Sequence, residues 1–288
     1  MIPAAFAYVR TTSLSATIDL LQNDPDGAKL VAGGHTLIPA MKLRLASPAL
    51  LVDIRGIDEL KGIEIGEWIR IGALTTHAEL LASDPLHQML PIFREAASMI
   101  ADAQVRNRGT IGGSLANADP AADWPAVVIA LNAEMEIAGP NGRRRVAAKD
   151  FFVDIMTTTL APDEVLVALH IARPESNVRF GYRKIRHPAS GYAVVGIAAA
   201  LALHDDLVST ATIGVTGATA RAFGADIATA FLIGKSLSSD NIKQVASIVS
   251  ENAECLSDHY ASADYRRHLV RTQLARMLSS WSSFGPSQ

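Results

Sequence analysis

Lys29-Leu-Val-Ala-Gly-Gly-His-Thr-Leu37 is the stretch on which the fold turns. Lys29 to Ala32 has the character of a strand. It runs into the pair Gly33-Gly34, and a helical pattern over Thr36 to Leu45 follows at once, with Pro39 restricting where the first turn lies. Glycines admit positive φ and let a backbone come close to a ligand. The start of a helix leaves N–H groups without intrahelical partners, an arrangement that favours phosphate. His35 and Thr36 add side-chain donors. A second segment, Thr110-Ile-Gly-Gly-Ser-Leu-Ala-Asn-Ala-Asp119, repeats this chemistry with Gly112-Gly113, and Thr110, Ser114 and Asn117 supply short hydrogen-bonding side chains. From the residues alone, each segment also reads as an ordinary turn. Together they fit two grips on one phosphate-bearing cofactor.

Working outward, Ser13 to Gln22 reads as a helix and Ala49 to Ile54 as a buried strand, closing a small β-α-β unit over residues 1–55. A second unit, 56–175, begins with the strand Trp68 to Gly72 and a capping box at Thr76 and Glu79. The pattern then predicts a helix over Leu90 to Ile100, a polar glycine-containing loop from Ala103 to Asp123, and a helix over Trp124 to Leu131 capped by Asp123. Glu134 to Ala138 and Arg143 to Val146 flank the hairpin signal Asn141-Gly142, and Glu164 to Ile171 is another strand. Around Pro174 to Asn177 the texture changes. Strand-like runs cover Val178 to Ile185, Tyr192 to Leu203 and Leu207 to Thr216, with Asp205-Asp206 as a turn. Helical patterns cover Ala222 to Leu232, Asp240 to Glu254 and Ala263 to Trp281. Strands followed by helices make residues 176–288 an α+β unit.

Of the 288 residues, 49% are hydrophobic and 19% charged, which is the balance of a globular chain. The net charge of -3 gives no electrostatic reason to expect nucleic acid or an anionic membrane as partner. The one cysteine, Cys255, expected within a helix, cannot alone form a disulfide or hold an iron–sulfur cluster. The histidines are scattered without metal-ligand spacing, so no metal is expected. The apolar run Tyr192 to Leu203 is too short to span a bilayer, and the opening residues lack a signal peptide's apolar core, so the expected location is cytoplasmic. No G-x-G-x-x-G occurs. Gly234-Lys235-Ser236 ends like a P-loop, but Thr229 stands where the earlier glycine belongs, so it reads as a helix end followed by a loop.

The ordered set Ala32-Gly-Gly-His-Thr36, Ala49-Leu-Leu-Val-Asp-Ile54, Gln104-Val-Arg-Asn-Arg-Gly-Thr-Ile-Gly-Gly113, Asp119-Pro-Ala-Ala-Asp123 and Gly191-Tyr-Ala193 resembles the FAD-binding medium subunits of molybdenum hydroxylases, which include those of carbon monoxide dehydrogenase and the flavin domain of xanthine dehydrogenase. The resemblance implies an α+β chain: a two-part FAD domain of the vanillyl-alcohol-oxidase type over 1–175 and a small domain of antiparallel sheet and helices over 176–288. It implies non-covalent FAD, with Ala32, Gly33, Gly34, His35 and Thr36, and Thr110, Ile111, Gly112, Gly113 and Ser114, around the diphosphate and ribityl chain, together with Asn117. Asp123 would accept from the cofactor's ribose or a neighbouring part, Lys184 would lie near the flavin's polar edge, and Tyr192 would cover one flavin face. Many relatives carry asparagine at 114, and serine is often found at 36, which keeps the hydroxyl. Arg186-His-Pro-Ala-Ser190 departs from the basic run of the carbon monoxide dehydrogenases.

The partners implied are a small subunit with two [2Fe–2S] clusters and a large subunit with the molybdenum cofactor, assembled as a dimer of heterotrimers. An external acceptor takes the electrons. No residue of this chain is expected to be an acid–base catalyst. Plainer readings stand beside these: Tyr192 as a core tyrosine, Lys184 as a solvated strand residue, Arg143-Arg-Arg145 as a solvated face, and Leu269, Leu274 and Leu278 as core packing or a subunit contact. Two other functions also fit the pattern, a self-sufficient FAD-dependent oxidase of the same fold and a binding module with a degenerate site.

Overall fold

The computed structural model describes residues 2–282; residue 1 and residues 283–288, the outer ends of the expected ranges, lie outside them. The first unit holds β1 (Ala7–Arg10), α1 (Leu14–Asn23), β2 (Ala28–Val31), α2 (Leu37–Lys42) and β3 (Leu50–Asp53), with a parallel sheet in the order β1-β3-β2. Ser13 caps α1 by accepting from the Ala16 N–H, and Leu14, Ile18 and Leu21 bury the stripe that 3.6-residue spacing creates. Strand β1 is one that the pattern reading missed, because its side chains are mostly exposed and carry no alternation. Asp53 ties the edge in. Its carboxylate accepts from the Tyr8 hydroxyl at 2.6 Å and from the Arg55 side chain and amide. Burial by itself would raise this carboxyl. The Arg55 and Tyr8 hydrogen bonds outweigh it and hold Asp53 well below the usual carboxylate range. Helix α2 stops at Lys42, short of the expected Leu45, because Arg44 turns the chain at φ 62°.

The second unit contains β4 (Ile63–Ile65), β5 (Trp68–Gly72), α3 (His77–Ala82), α4 (Asp84–Met89), α5 (Ile92–Ser98), α6 (Ala103–Arg106), α7 (Ile111–Asn117) and α8 (Trp124–Ala130). It continues through β6 (Glu134–Gly139), β7 (Gly142–Ala147), α9 (Ala148–Phe151), β8 (Phe152–Asp154), β9 (Thr157–Thr158) and β10 (Val165–Ala172). The main sheet is antiparallel in the order β4-β5-β10-β6-β7. One face packs on α3, α5, α7 and α8 through Ile69, Ile71, Phe93 and Trp124. The other meets the first unit through Val167, Ala168, Leu14 and Ile18. Each arginine of Arg143-Arg-Arg145 is partly exposed and paired with a glutamate, which fits the solvated-face reading.

Two expectations fail here. The helix expected over Leu90 to Ile100 is α5 alone, preceded by a separate α4, since Pro91 follows a Leu90 held at φ -132°. The loop expected from Ala103 to Asp123 contains α6 and α7. Asp102 and Thr110 cap them, and tertiary packing overrides the poor helix propensity of Gly112-Gly113.

The third group holds β11 (Val178–Arg186), β12 (Ala193–His204), β13 (Leu207–Thr216), β14 (Phe223–Gly224), α10 (Asp226–Leu232), α11 (Ser239–Asn252) and α12 (Ala263–Ser282). The sheet is antiparallel in chain order. Asp205 and Asp206 both take positive φ in its β12–β13 turn, the conformation that suits a right-twisted hairpin. Phe223 and Gly224 extend the sheet instead of opening a helix, so α10 is shorter than expected. Leu269, Leu274 and Leu278 of α12 pack in the core under this sheet. Cys255 lies past the end of α11, outside the helix in which it was expected, and is half-buried. Gly234 ends its segment at φ 75° after α10, which agrees with a helix end and not a phosphate loop.

Helix α8 sits between the second and third units, with β12, β13 and β14 on one side and α5 and α7 on the other. Every one of its residues is buried. Gly214 of β13 makes the approach possible, since a Cβ there would overlap the Ala126 carbonyl oxygen.

Candidate functional site

A cavity of about 750 Å³ opens where the three units meet. Every site residue predicted from sequence lines it except Ile111, which is fully buried in the core beneath α7. Its remaining wall is mainly apolar, with Leu30, Ile54 and Leu166 among it. That mix of apolar wall and few convergent polar groups is typical of ligand sites.

The first glycine segment offers the open donors. Among the described residues, the N–H groups of Gly33, Gly34, His35 and Thr36 have no protein partner. Gly34 stands at φ 77°, which a side chain would strain. Gly33 serves a different purpose. A Cβ there would overlap the Arg108 carbonyl oxygen and lie 2.8 Å from its carbon and 2.9 Å from the Gly109 Cα. Bare backbone at 33 is what lets the two segments touch.

The second segment behaves differently from expectation. The Ile111 N–H donates to the Thr75 carbonyl at 3.0 Å, the Gly112 N–H to Ala73 at 2.9 Å, and the Gly113 N–H to the Thr110 hydroxyl at 3.1 Å. The amides read as phosphate donors at 112–113 are therefore already satisfied inside the protein. A Cβ on Gly112 would overlap the Ala73 side chain, so this glycine also permits close packing. Toward the cavity the segment presents the bare exposed surface of Gly113 and the side chains of Ser114 and Asn117. Asn117 makes only a 3.9 Å contact with the Met156 sulfur.

At the end formed by β11, Asp123, Tyr182 and Lys184 make a buried polar cluster. The Tyr182 hydroxyl donates to Asp123, and the Lys184 ammonium donates to Asp123 at 2.9 Å and to the Met99 carbonyl at 3.2 Å. The Lys184 side chain is 1% exposed, so the solvated reading of this lysine is wrong. The expected helix cap is also absent. Asp123 is the first residue before α8 but has helical dihedrals, and its carboxylate is committed to Tyr182 and Lys184. Burial raises the Asp123 carboxyl, with Lys184 and Tyr182 opposing. Burial likewise lowers the Lys184 ammonium, with Asp123 opposing. Tyr182 is raised well above the usual phenol, by burial and then by the Asp123 charge, and stays a donor. Sequence reading missed it, although Tyr182 and Lys184 are two apart on one strand and so share a face.

Tyr192 stands before β12, not within it, and is 42% exposed at the cavity. The core reading of this tyrosine therefore fails. Gly191 at φ 73° turns the chain into it, and the Tyr192 carbonyl accepts from the His187 N–H at 2.8 Å.

His77, also missed, lines the cavity as the first residue of α3. The Thr76–Glu79 capping box fixes that start, and Thr76 bridges to Thr110, so the helix and the second glycine segment are registered to each other. The Trp124 indole N–H donates to His77 Nδ1 at 3.1 Å. Burial, then the nearby His35 and Arg106, pushes the imidazole down to about 4. An unfolded histidine titrates near 6.5, so the folded state binds fewer protons between these values. The resulting stabilisation, about 3 kcal/mol, is complete above about pH 6.5 and lost as pH falls toward 4. Urea unfolding at about pH 5 should show roughly 2 kcal/mol of it gone. In His77→Asn that part of the pH dependence should flatten, and an unchanged slope would contradict the assignment.

The comparisons agree with this architecture. Residues 4–174 match the family model described as FAD binding domain in molybdopterin dehydrogenase, and residues 180–281 match the CO dehydrogenase flavoprotein C-terminal domain. The carbon monoxide dehydrogenase medium chain of Afipia carboxidovorans is 38% identical over 96% of this chain and 96% of its own. The nicotine 6-hydroxylase medium subunit of Paenarthrobacter nicotinovorans is 34% identical over 95% and 96%. The solved carbon monoxide dehydrogenase of Hydrogenophaga pseudoflava superposes with a TM-score of 0.95 at 37% identity, over 98% of this chain and 99% of that one. With both family models and full-length relatives in register, the chain belongs to the FAD-binding medium subunits of the molybdenum hydroxylases.

Proposed function

We propose that this chain is an electron-transfer subunit. It takes electrons from the [2Fe–2S] clusters of a small partner, which is served by a large molybdenum-cofactor subunit in a dimer of heterotrimers, and gives them to an external acceptor. The observation that carries the reading is the single cavity that gathers the open amides of 33–36, the glycine surface at 113, and the Asp123–Lys184 end. Residues 1–175 would supply most of this wall, and 176–288 would close it with Lys184 and Tyr192.

The residues present suit FAD. The free N–H groups of 33–36 fit a diphosphate, the bare Gly113 surface and the Ser114 side chain fit close approach of the ribityl chain, and the apolar wall fits a flat ring system. When bound, the flavin supplies reversible uptake and release of electrons. The protein's own part is orientation and tuning. The Lys184 ammonium, fixed by Asp123, places a positive charge in the wall. Tyr192, at the exposed edge, would cover one face of the ring. Relatives named for carbon monoxide and for nicotine match over the same length, which fits a chain whose task does not depend on the substrate.

The purified chain should take up one equivalent of FAD non-covalently and show a flavin absorption band. That band should bleach when a reduced small partner is added. A chain that stays colourless and leaves FAD fluorescence unquenched would end this reading.

A further inference from the structure

We infer that His77 is a further cofactor-contacting residue, its Nε2–H serving as a fixed donor to an acceptor oxygen of the dinucleotide between the two glycine segments. This rests on the FAD reading above.

The argument starts from the ring's two nitrogens. Nδ1 accepts from the Trp124 indole N–H, so it carries no proton, and a neutral imidazole must then hold its proton on Nε2. The ring cannot turn over without losing that bond. It is held between Trp124, at a centroid distance of 5.9 Å, and the Gly109 backbone, and only 6% of the residue is exposed. The ring is largely buried, but Nε2 is not among the polar atoms sealed from solvent. Among the described residues Nε2 has no acceptor, and His77 forms part of the cavity wall.

Gly109 adds a second, independent observation. It has no positive φ to explain it, and a Cβ there would come within 2.8 Å of Nε2 and 2.9 Å of the neighbouring ring carbon. The glycine just ahead of Thr110 therefore keeps the Nε2 edge of the imidazole uncovered. The backbone brings the same pair together, since the His77 N–H donates to the Gly109 carbonyl at 3.0 Å. His35, whose charge is felt at His77, lies on the opposite glycine segment. The donor thus faces the gap between the segments that are to hold the cofactor's middle. With the amides of Ile111, Gly112 and Gly113 already used, the His77 Nε2–H is a donor beside the second segment that remains free among the described residues.

The test measures FAD affinity of the full-length apo-chain by flavin fluorescence quenching, beside the thermal midpoint of the same apo-protein. His77→Asn keeps an acceptor for Trp124 but removes the distal donor, and should weaken FAD binding about tenfold. His77→Gln places an N–H near the Nε2 position and should restore most of that loss. Apo-midpoints of the two variants should lie close together. Equal affinities in wild type, Asn and Gln variants, or losses that follow the apo-midpoint and not the donor, would overturn the inference. A wild-type chain that takes up no FAD would instead remove the function on which it rests.

Discussion

Asp123→Ala is expected to destabilise the chain by about 3–5 kcal/mol, because it leaves an uncompensated buried ammonium. The Lys184 side chain is 1% exposed, and without Asp123 its remaining partner among the described residues is the Met99 carbonyl. The Tyr182 hydroxyl, 3% exposed as a residue, loses its acceptor in the same stroke. Removing one partner of such a pair costs far more than the pair contributes, since the desolvation of the other remains. The double variant Asp123→Ala/Lys184→Met should recover most of the loss, as an apolar side chain replaces the stranded charge. Urea unfolding of the three proteins measures this directly. A single variant within about 1 kcal/mol of wild type would mean that water reaches Lys184 and the cluster is not dry. FAD retention should fall in the single variant and not return fully in the double, because Lys184 is part of the cavity wall.

Gly33→Ala is the second large effect. What its Cβ would meet is backbone, the Arg108 carbonyl and the Gly109 Cα, and backbone cannot swing aside as a lysine tip would. The two segments must separate. Overpacking of this kind costs about 3 kcal/mol, at the upper end of its range. FAD affinity should drop at least tenfold, because the open amides of 33–36 move with the displaced loop. Gly66→Ala is the control. Its Cβ would have the Trp68 carbonyl at 3.7 Å as its nearest neighbour, and its stability should stay within about 0.5 kcal/mol of wild type. Equal behaviour of the two variants in denaturant melts and FAD titrations would refute the role given to Gly33.

Much of this architecture was legible beforehand, and the failures share a cause. The antiparallel third sheet followed because Val178 to Ile185, Tyr192 to Leu203 and Leu207 to Thr216 are long, with a two-aspartate turn between the last pair. Strand β1 was invisible, since Ala7 to Arg10 is an edge whose order comes from β3 and from Asp53, 45 residues on from Tyr8. Helix α7 was hidden by its own glycines. Only knowledge that Ala73 lies against Gly112 explains why they are tolerated. In the site, short motifs marked backbone that lines the cavity, but not which of its amides stay open. Gly33 and Gly112 answer to neighbouring chain, and the amides of 111–113 are spent on Thr75, Ala73 and Thr110. Asp123 looked like a cap because its carboxylate's partners, Tyr182 and Lys184, lie some 60 residues further along. Local pattern carries no information about such distant pairings.

Helix α8 has no outward side. By sequence the chain divides near residue 175, yet the helix that begins at Asp123 is roofed by strands from beyond that point. A fragment ending at the linker would keep every residue of the earlier unit and still bare one flank of its most apolar helix to water. The partition that a gene could be cut along is therefore not one along which the molecule could be pulled apart. The cavity is shared in the same way, since Lys184, Ser190, Gly191 and Tyr192 from the later half complete its lining.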